Sequence, residues 1–467
     1  MNKKHSIGLF IFRRDLRIID NSAFIYGSKI CQQIIPCFIF DPRQIENNPY
    51  RGDFAVRFMV ESIQDLQENL IIEGATLYLF YGKPEEVLLN IFETVRFDAV
   101  FLNRDYTPFS KERDKDIGTF CKKHNITLYS LDDVLLVKPE DTLSDNNIPI
   151  TVFSRFYKKV MTIPVSKPQK VTDTQYYQKH ISGEIQELTS LQFLPNKNEK
   201  ARLKGGRNEG LKILKRACML QDYRNQKDML EKEINTFLSP YLKFGCLSPR
   251  EVFYAIQSNN PDPEPILRQL YWRDFFTIIA FYFPYVFGKA FNSSFQDVWW
   301  NRDENAFTLW TEGMTGFPIV DAGMRELKTT GWLHNRARLI VGSFLTKDLH
   351  IDWLWGEKYF ATKLIDYDPS VNNGNWQWVA GTGCDAQPYF RIFNPWLQSK
   401  KFDPDSKYIK KWVPELINVP SDHIHQWHIF YKDYPRIDYP APIVNHHDEA
   451  ERAKFLFKRT TYKTNKS

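Results

Sequence analysis

Cysteine is scarce and dispersed in this chain. Six occur among 467 residues, at positions 31, 37, 121, 218, 246 and 384, and no two form a Cys-x-x-Cys pair. That excludes a disulfide framework and a zinc cluster as organising features, and reduced thiols of an intracellular protein are expected. Long apolar runs are absent too. Nothing approaches the ~20 residues that a membrane span requires. Met1-Asn2-Lys3-Lys4-His5 lacks the apolar core of a secretory leader, so a soluble protein is expected. A Gly-x-Gly-x-x-Gly turn is missing after the first apolar run, where Arg13-Arg14-Asp15-Leu16-Arg17 stands instead. An ordinary dinucleotide fingerprint is thereby excluded. Tryptophan is missing from the first 271 residues, and all twelve lie at or beyond Trp272. Such crowding suits a large helical core, stacking surfaces or electron relays.

Hydrophobic residues make up 43% of the chain and charged residues 25%, which is ordinary for a folded protein. The charge is uneven. Residues 201–467 hold 36 Lys and Arg against 30 Asp and Glu, whereas the first 200 residues balance at 26 of each. A polyanion would meet the C-terminal part first, although this excess is weak evidence for nucleic acid.

The first ~140 residues alternate short apolar runs with amphipathic stretches. Ile7–Phe12, Ile34–Phe40, Thr76–Phe80, Ala99–Leu102 and Thr127–Tyr129 read as strands. Phe54–Glu73, Pro84–Thr94 and Lys111–His124 read as helices. Pro84 suits a first helical turn, and Glu85 and Glu86 favour a helix N-terminus. This alternation predicts a doubly wound parallel sheet over residues 1–138, Rossmann-like in its α/β class. Residues 139–200 are polar and read as a long, partly helical interdomain linker. From 201 to 467 the pattern is all-helical, as in Pro318–Thr330 with Pro at its start and Gly331 past its end.

The charged and aromatic motifs point one way. Thr315-Gly316-Phe317-Pro318-Ile319-Val320-Asp321-Ala322-Gly323-Met324-Arg325 resembles a signature of the DNA photolyase/cryptochrome superfamily. So do Asn335-Arg336-Ala337-Arg338-Leu339, Leu238-Ser239-Pro240-Tyr241-Leu242, Trp272-Arg273-Asp274-Phe275-Phe276 and Asn372-Asn373-Gly374-Asn375-Trp376-Gln377-Trp378. Phe12-Arg13-Arg14-Asp15-Leu16-Arg17 with Asp20-Asn21 resembles the family's entry segment. Five ordered motifs are far more specific than one. The resemblance covers almost the whole chain, weakest at 139–200 and near the C-terminus, and is nearest to class I cyclobutane pyrimidine dimer photolyases.

That resemblance implies light-driven DNA repair by a flavoenzyme, a deoxyribodipyrimidine photo-lyase, with FAD in the helical domain and UV-damaged DNA as partner. It implies a monomer without membrane attachment. Cofactor contacts carried over by match are Tyr223, Asn235, Thr236, Phe237, Leu238, Ser239, Trp332, Asn335, Arg338, Asp366, Asp368 and Asn372. The family usually has Thr-Ser where this chain has Asn235-Thr236, a polar exchange. Helix geometry places Arg336 and Arg338 about 200° apart, so they serve different surfaces. The resemblance assigns Arg338 to Asp366 beside the flavin and Arg336 to DNA. Lesion and DNA contacts by match are Lys227, Gln269, Trp272, Arg273, Asn335, Arg336, Leu339, Trp378, Arg391 and Gln398. Trp376, Trp353 and Trp300 match the family's electron relay. Among these, Gln269, Asn335 and the relay tryptophans carry the catalytic expectation. A second, light-harvesting chromophore (folate, deazaflavin or flavin) is left open, with Asn103-Arg104-Asp105-Tyr106-Thr107-Pro108 lying where its contacts are expected. His423, His425, His428, His446 and His447 are irregularly spaced and read as a solvated tail, not a metal site.

Substrate class is where the chain departs from the pattern. Dimer photolyases usually carry Glu at the position of Gln269 and commonly Met at that of Leu339. Gln269 pulls toward enzymes that repair the (6-4) photoproduct, but those rely on a His where Asn335 stands. A cryptochrome photoreceptor without repair activity is the other alternative. Its usual long C-terminal extension is not matched by the short basic stretch from Lys458 to Lys466. A plain flavoprotein oxidoreductase would need a nicotinamide site, and none is visible.

Overall fold

The computed structural model describes residues 3–464 apart from 47, 171–172, 196–199 and 233. Five strands form one parallel sheet: β1 (His5–Phe12), β2 (Cys31–Phe40), β3 (Tyr78–Tyr81), β4 (Ala99–Asn103) and β5 (Thr127–Leu131). Their order is β3-β2-β1-β4-β5, the doubly wound arrangement expected from the alternation. Leu9, Phe10, Ile11 and Phe12 of β1 are all buried, as a central parallel strand covered on both faces requires. Helices Pro84–Thr94 and Pro108–Lys123 contribute Leu88, Ile91, Ile117 and Phe120 to the core. Gly8 is required where it stands, because a Cβ there would come within 2.6 Å of Cys31 Sγ and 2.7 Å of the Phe101 ring.

Contacts divide the chain into two compact units at other places than the sequence suggested. One contains Met1–Lys197, Leu203–Gln221 and Thr236–Pro284, and the other Asn198–Arg202, Asp222–Asn235 and Tyr285–Ser467. The expected boundaries at 138 and 200 therefore do not coincide with these limits. Residues 139–200 are not a free linker. Tyr177 N donates to Ile34 O at 3.0 Å and Ile185 N to Leu79 O at 2.7 Å, so the segment runs along the sheet edge. Within it, Phe153 and Phe156 of the helix Phe153–Val160 are buried. The physical reason is that its apolar residues are few but spaced to fill gaps, which composition does not reveal.

A buried ionic network braces the first unit. Asp133 accepts from Arg17 at 2.5 Å and from Arg250 at 2.7 Å, and Arg250 also pairs with Asp20 at 2.9 Å. Burial alone would raise the Asp133 pKa, but Arg17 and Arg250 outweigh it and hold the carboxyl down at about 2. A depressed folded-state pKa stabilises the fold above the unfolded value near 4, and that contribution is lost as pH falls from there through about 2. Asp133→Ala would leave two buried guanidinium groups short of a partner. We expect a loss of roughly 3–5 kcal/mol, measured by denaturant unfolding of the isolated variant. A loss below ~1 kcal/mol would show that water or Asp20 replaces Asp133.

The second unit is helical, and among the described residues after Leu131 no strand occurs. Its core gathers Trp310, Phe317, Phe344, Trp353, Phe360, Trp376 and Trp427. Helix Pro318–Thr330 has the expected limits, with Gly331 in the left-handed region at φ 71°. Three of the five histidines read as a solvated tail are instead placed by partners, whereas His428 and His447 are exposed. His425 is buried against Ser399, at 2.7 Å, His423 meets Tyr434 at 2.6 Å, and His446 meets Asp348 at 2.5 Å. The sequence reading failed because the C-terminal segment packs on this core, ending in the helix His446–Thr464.

Candidate active site

Asn335, Arg338, Asp366, Asp368 and Asn372, all expected cofactor residues of the second unit, lie on or beside two helices. Asp368 caps the helix Pro369–Ala380, its side chain accepting from Ser370 N and Val371 N. Asn372 and Trp376 follow at four-residue steps, so Asp368, Asn372 and Trp376 form one stripe. Asn372 Nδ2 donates to the backbone O and to Oε1 of Glu357, both at 3.0 Å. Burial pushes the Glu357 carboxyl up to about 7, with Asn372 opposing the shift. On the neighbouring helix Asn335–Ser343, Arg338 Nη2 meets both oxygens of Asp366 at 3.1 and 3.0 Å, and its Nε donates to Leu333 O at 2.9 Å.

The same helix separates its two arginines as its geometry requires. Arg336 points elsewhere and pairs with Asp228 at 3.1 Å, its guanidinium carbon 4.3 Å from the Phe402 ring centre. Asn335 is exposed at the first position, and Leu339 is half-buried. His334 caps the helix, its Nδ1 accepting from Arg336 N at 3.0 Å. That bond puts the ring proton on Nε2. Burial lowers the His334 pKa to about 4.

Thr236, Phe237, Leu238 and Ser239 belong to the first unit, and Asn235 ends a segment of the second. Phe237 stands at φ 54°, an uncommon left-handed conformation for a bulky residue, just before the helix Ser239–Lys243. Tyr223 is half-buried and opens a short helix after the left-handed Asp222. Trp332 is buried, with the Arg202 guanidinium 6.0 Å from its ring centre. Trp332 and Asn235 help line a cavity of about 150 Å³ that also takes in Arg202, Lys407 and Lys411.

Three comparisons bear on this arrangement. A family model described as DNA photolyase matches residues 9–172, and one described as the FAD binding domain of DNA photolyase matches residues 266–459. A deoxyribodipyrimidine photo-lyase of Alkalihalophilus pseudofirmus is 34% identical, over 98% of this chain and 99% of the relative. This chain belongs to the DNA photolyase family. Among solved structures, an archaeal photolyase from Sulfolobus tokodaii with two FAD molecules is 40% identical, with a TM-score of 0.88 over 97% of this chain and all of that one. A class III photolyase from Agrobacterium tumefaciens is 32% identical, with a TM-score of 0.91 over 99% of each chain. Class I and class III features are therefore not separated by overall similarity.

FAD is the cofactor of this photolyase, and the residues present fit it. With Nδ2 spent on Glu357, Asn372 keeps its Oδ1 as an acceptor, which suits a ring nitrogen carrying hydrogen. The Phe237 backbone is an outlier of the kind that the surrounding structure must hold in place.

The lesion residues expected of a photolyase divide between the two units. In the first unit, Gln269 is exposed and reaches only back to Pro265 O, at 3.4 Å. Trp272 is half-buried, one face stacked on Phe153 at 3.5 Å. Arg273, expected at the lesion, donates to Val134 O at 2.8 Å and pairs with Asp274 at 3.3 Å, so its head braces the first unit. In the second unit Lys227 and Trp378 are half-buried, Arg391 is exposed, and Gln398 is half-buried with Oε1 lacking a partner.

The relay tryptophans all belong to or pack on the core of the second unit. Trp376 meets Phe360 at 4.9 Å and Trp310 at 6.3 Å, and Trp300 meets Phe457 at 6.0 Å. Among the described residues no ring contact joins the three directly. Gly356 makes room for Trp376, since a Cβ there would fall 2.2 Å from its ring. Glu357, Asp228 and Phe402 do not stand out in the sequence. Each touches a predicted residue from a different segment, and no local pattern signals such a partner.

Proposed function

We propose that this chain repairs UV-damaged DNA in the light by splitting cyclobutane pyrimidine dimers. The observation that carries the dimer over the (6-4) product is His334. It is the histidine nearest the position where (6-4) chemistry needs one, yet it is turned inward as a helix cap and held neutral by burial. Asn335, which stands at that position, can donate and accept hydrogen bonds but cannot exchange a proton as an acid-base group.

Bound FAD supplies light absorption and the electron. Arg338 and Asp366 fix a charged pair beside it, and Asn372 offers Oδ1 to its ring. Asn335 receives the extruded lesion, and Gln269 and Trp272 are carried over as lesion contacts from the family match alone. Extrusion costs a few kcal/mol, less for a base pair already distorted. Arg336, Lys227, Arg391 and Gln398 grip the flanking strand, and one chain acts as a monomer. The crevice beyond the ends of β1 and β4 is the switch point of the sheet, where such folds take ligands. A second chromophore is read there, and the two FAD molecules of the Sulfolobus relative favour a flavin among the three candidates.

The test illuminates reduced enzyme with oligonucleotides carrying each lesion separately. Dimer repair is expected, and Gln269→Glu should maintain or raise it by up to about tenfold, one added charged hydrogen bond's worth. Repair of the (6-4) product alone would overturn the assignment. Repair of neither would favour the cryptochrome reading.

A further inference from the structure

Arg336 is held by more than its own rotamer. Its Nη2 lies 3.1 Å from Asp228 Oδ2, and its guanidinium sits over the Phe402 ring at 4.3 Å. The two holding residues are themselves tied together, because Leu230 N donates to Phe402 O at 2.9 Å. Two polar atoms of this neighbourhood are buried without a hydrogen-bond partner: Arg336 Nε, and Oε1 of Gln398, one helical turn before Phe402. A guanidinium carries five N–H donors in a fixed fork, and Asp228 takes one direction of it. The remaining donors are held in place by these two neighbours.

We propose that Asp228 is a positioning residue for DNA: it holds Arg336 over Phe402 so that the guanidinium donors it does not engage meet a backbone phosphate beside the lesion. This rests on the reading that Arg336 contacts DNA. Structural stabilisation does not explain the pair, since the Asp228 and Arg336 side chains keep 32% and 17% of their exposure and such pairs contribute little to folding. The carboxylate also sets a limit on promiscuity. Its charge opposes any phosphate that does not sit in the one pose where the arginine compensates, so intact duplex gains less from Arg336 than lesion duplex does.

The experiment measures dark binding of the FAD-loaded enzyme to a duplex with one cyclobutane dimer and to the intact duplex, by fluorescence anisotropy across a salt series. Arg336→Ala is the reference and should cut lesion affinity, with the log–log salt slope shallower by roughly 0.9. Asp228→Ala should lower the ratio of lesion to intact affinity by about tenfold, the effect of one charge-assisted hydrogen bond no longer set. Asp228→Asn, which removes both the charge of the ion pair and its repulsion of misplaced phosphates, should lower the ratio as well. In the Arg336→Ala background, Asp228→Ala should have no further effect on the ratio. An unchanged ratio in Asp228→Ala, or an equal loss in both backgrounds, overturns the inference while leaving Arg336 as a DNA contact. An Arg336→Ala enzyme with wild-type affinity and salt slope overturns the underlying reading instead. Thermal midpoints should match among the variants, and a drop confined to Asp228→Ala would make its role structural and overturn the proposal.

Discussion

Under blue light with an external reductant, Trp376→Phe will load electrons onto oxidised FAD at least about tenfold more slowly than the unaltered chain, a barrier increase of roughly 1.4 kcal/mol. Repair by enzyme reduced beforehand will be largely unchanged. The expectation rests on placement. Asn372 and Trp376 stand four residues apart on one face of the helix Pro369–Ala380, so an indole lies one turn from the residue read at the flavin. Trp376 is buried in the core that also holds Trp353, with Trp300 packed against it. A phenyl ring keeps the packing but is far harder to oxidise than indole. The substitution removes ring volume from a tight site, so an unfolding cost of about 1–3 kcal/mol is expected and is measured alongside. Unchanged photoreduction removes the relay reading. Loss of repair in the pre-reduced variant would instead mean that Trp376 shapes the flavin site.

Asp366→Ala is expected to empty the flavin site. Arg338 Nη2 engages both carboxylate oxygens of Asp366, whose side chain is 5% exposed. Removing the carboxylate strands a partly buried cation and turns its attraction toward whatever acceptor remains. Breaking a buried pair costs about 3–5 kcal/mol, less here because the Arg338 side chain is 27% exposed. Flavin per chain, read from absorbance after gel filtration, should fall well below one. Asp366→Asn keeps an acceptor and should hold an intermediate amount. Full retention in Asp366→Ala, and again in Asn372→Ala, would show that the assigned residues do not hold the cofactor.

The candidate site was legible in the sequence as short, ordered motifs that match the family. Arg336 and Arg338 could be told apart by helix rotation, and the structure separates them as that rotation demands. Gln269, by contrast, was legible as a departure from the pattern but not as an environment. Its exposure and its weak bond to Pro265 follow from a helix surface that no periodicity specifies. Arg273 was read as a lesion contact, and its engagement with Val134 and Asp274 was invisible for the same reason.

What the sequence by itself determined is local: the apolar runs that become β1–β5, the Pro84 and Pro318 starts, the Gly331 stop, and which side chains share a helix face. These follow from backbone sterics and periodicity within a few residues. Tertiary structure alone decided the partners. It set Glu357 against Asn372, Asp228 and Phe402 against Arg336, and drew residues 139–197 and 236–284 into the first unit. It also took His334 and His425 out of water and gave them bonds. Buried polar groups must find partners wherever the chain brings them, and that meeting depends on packing across long separations, which no spacing along the chain encodes.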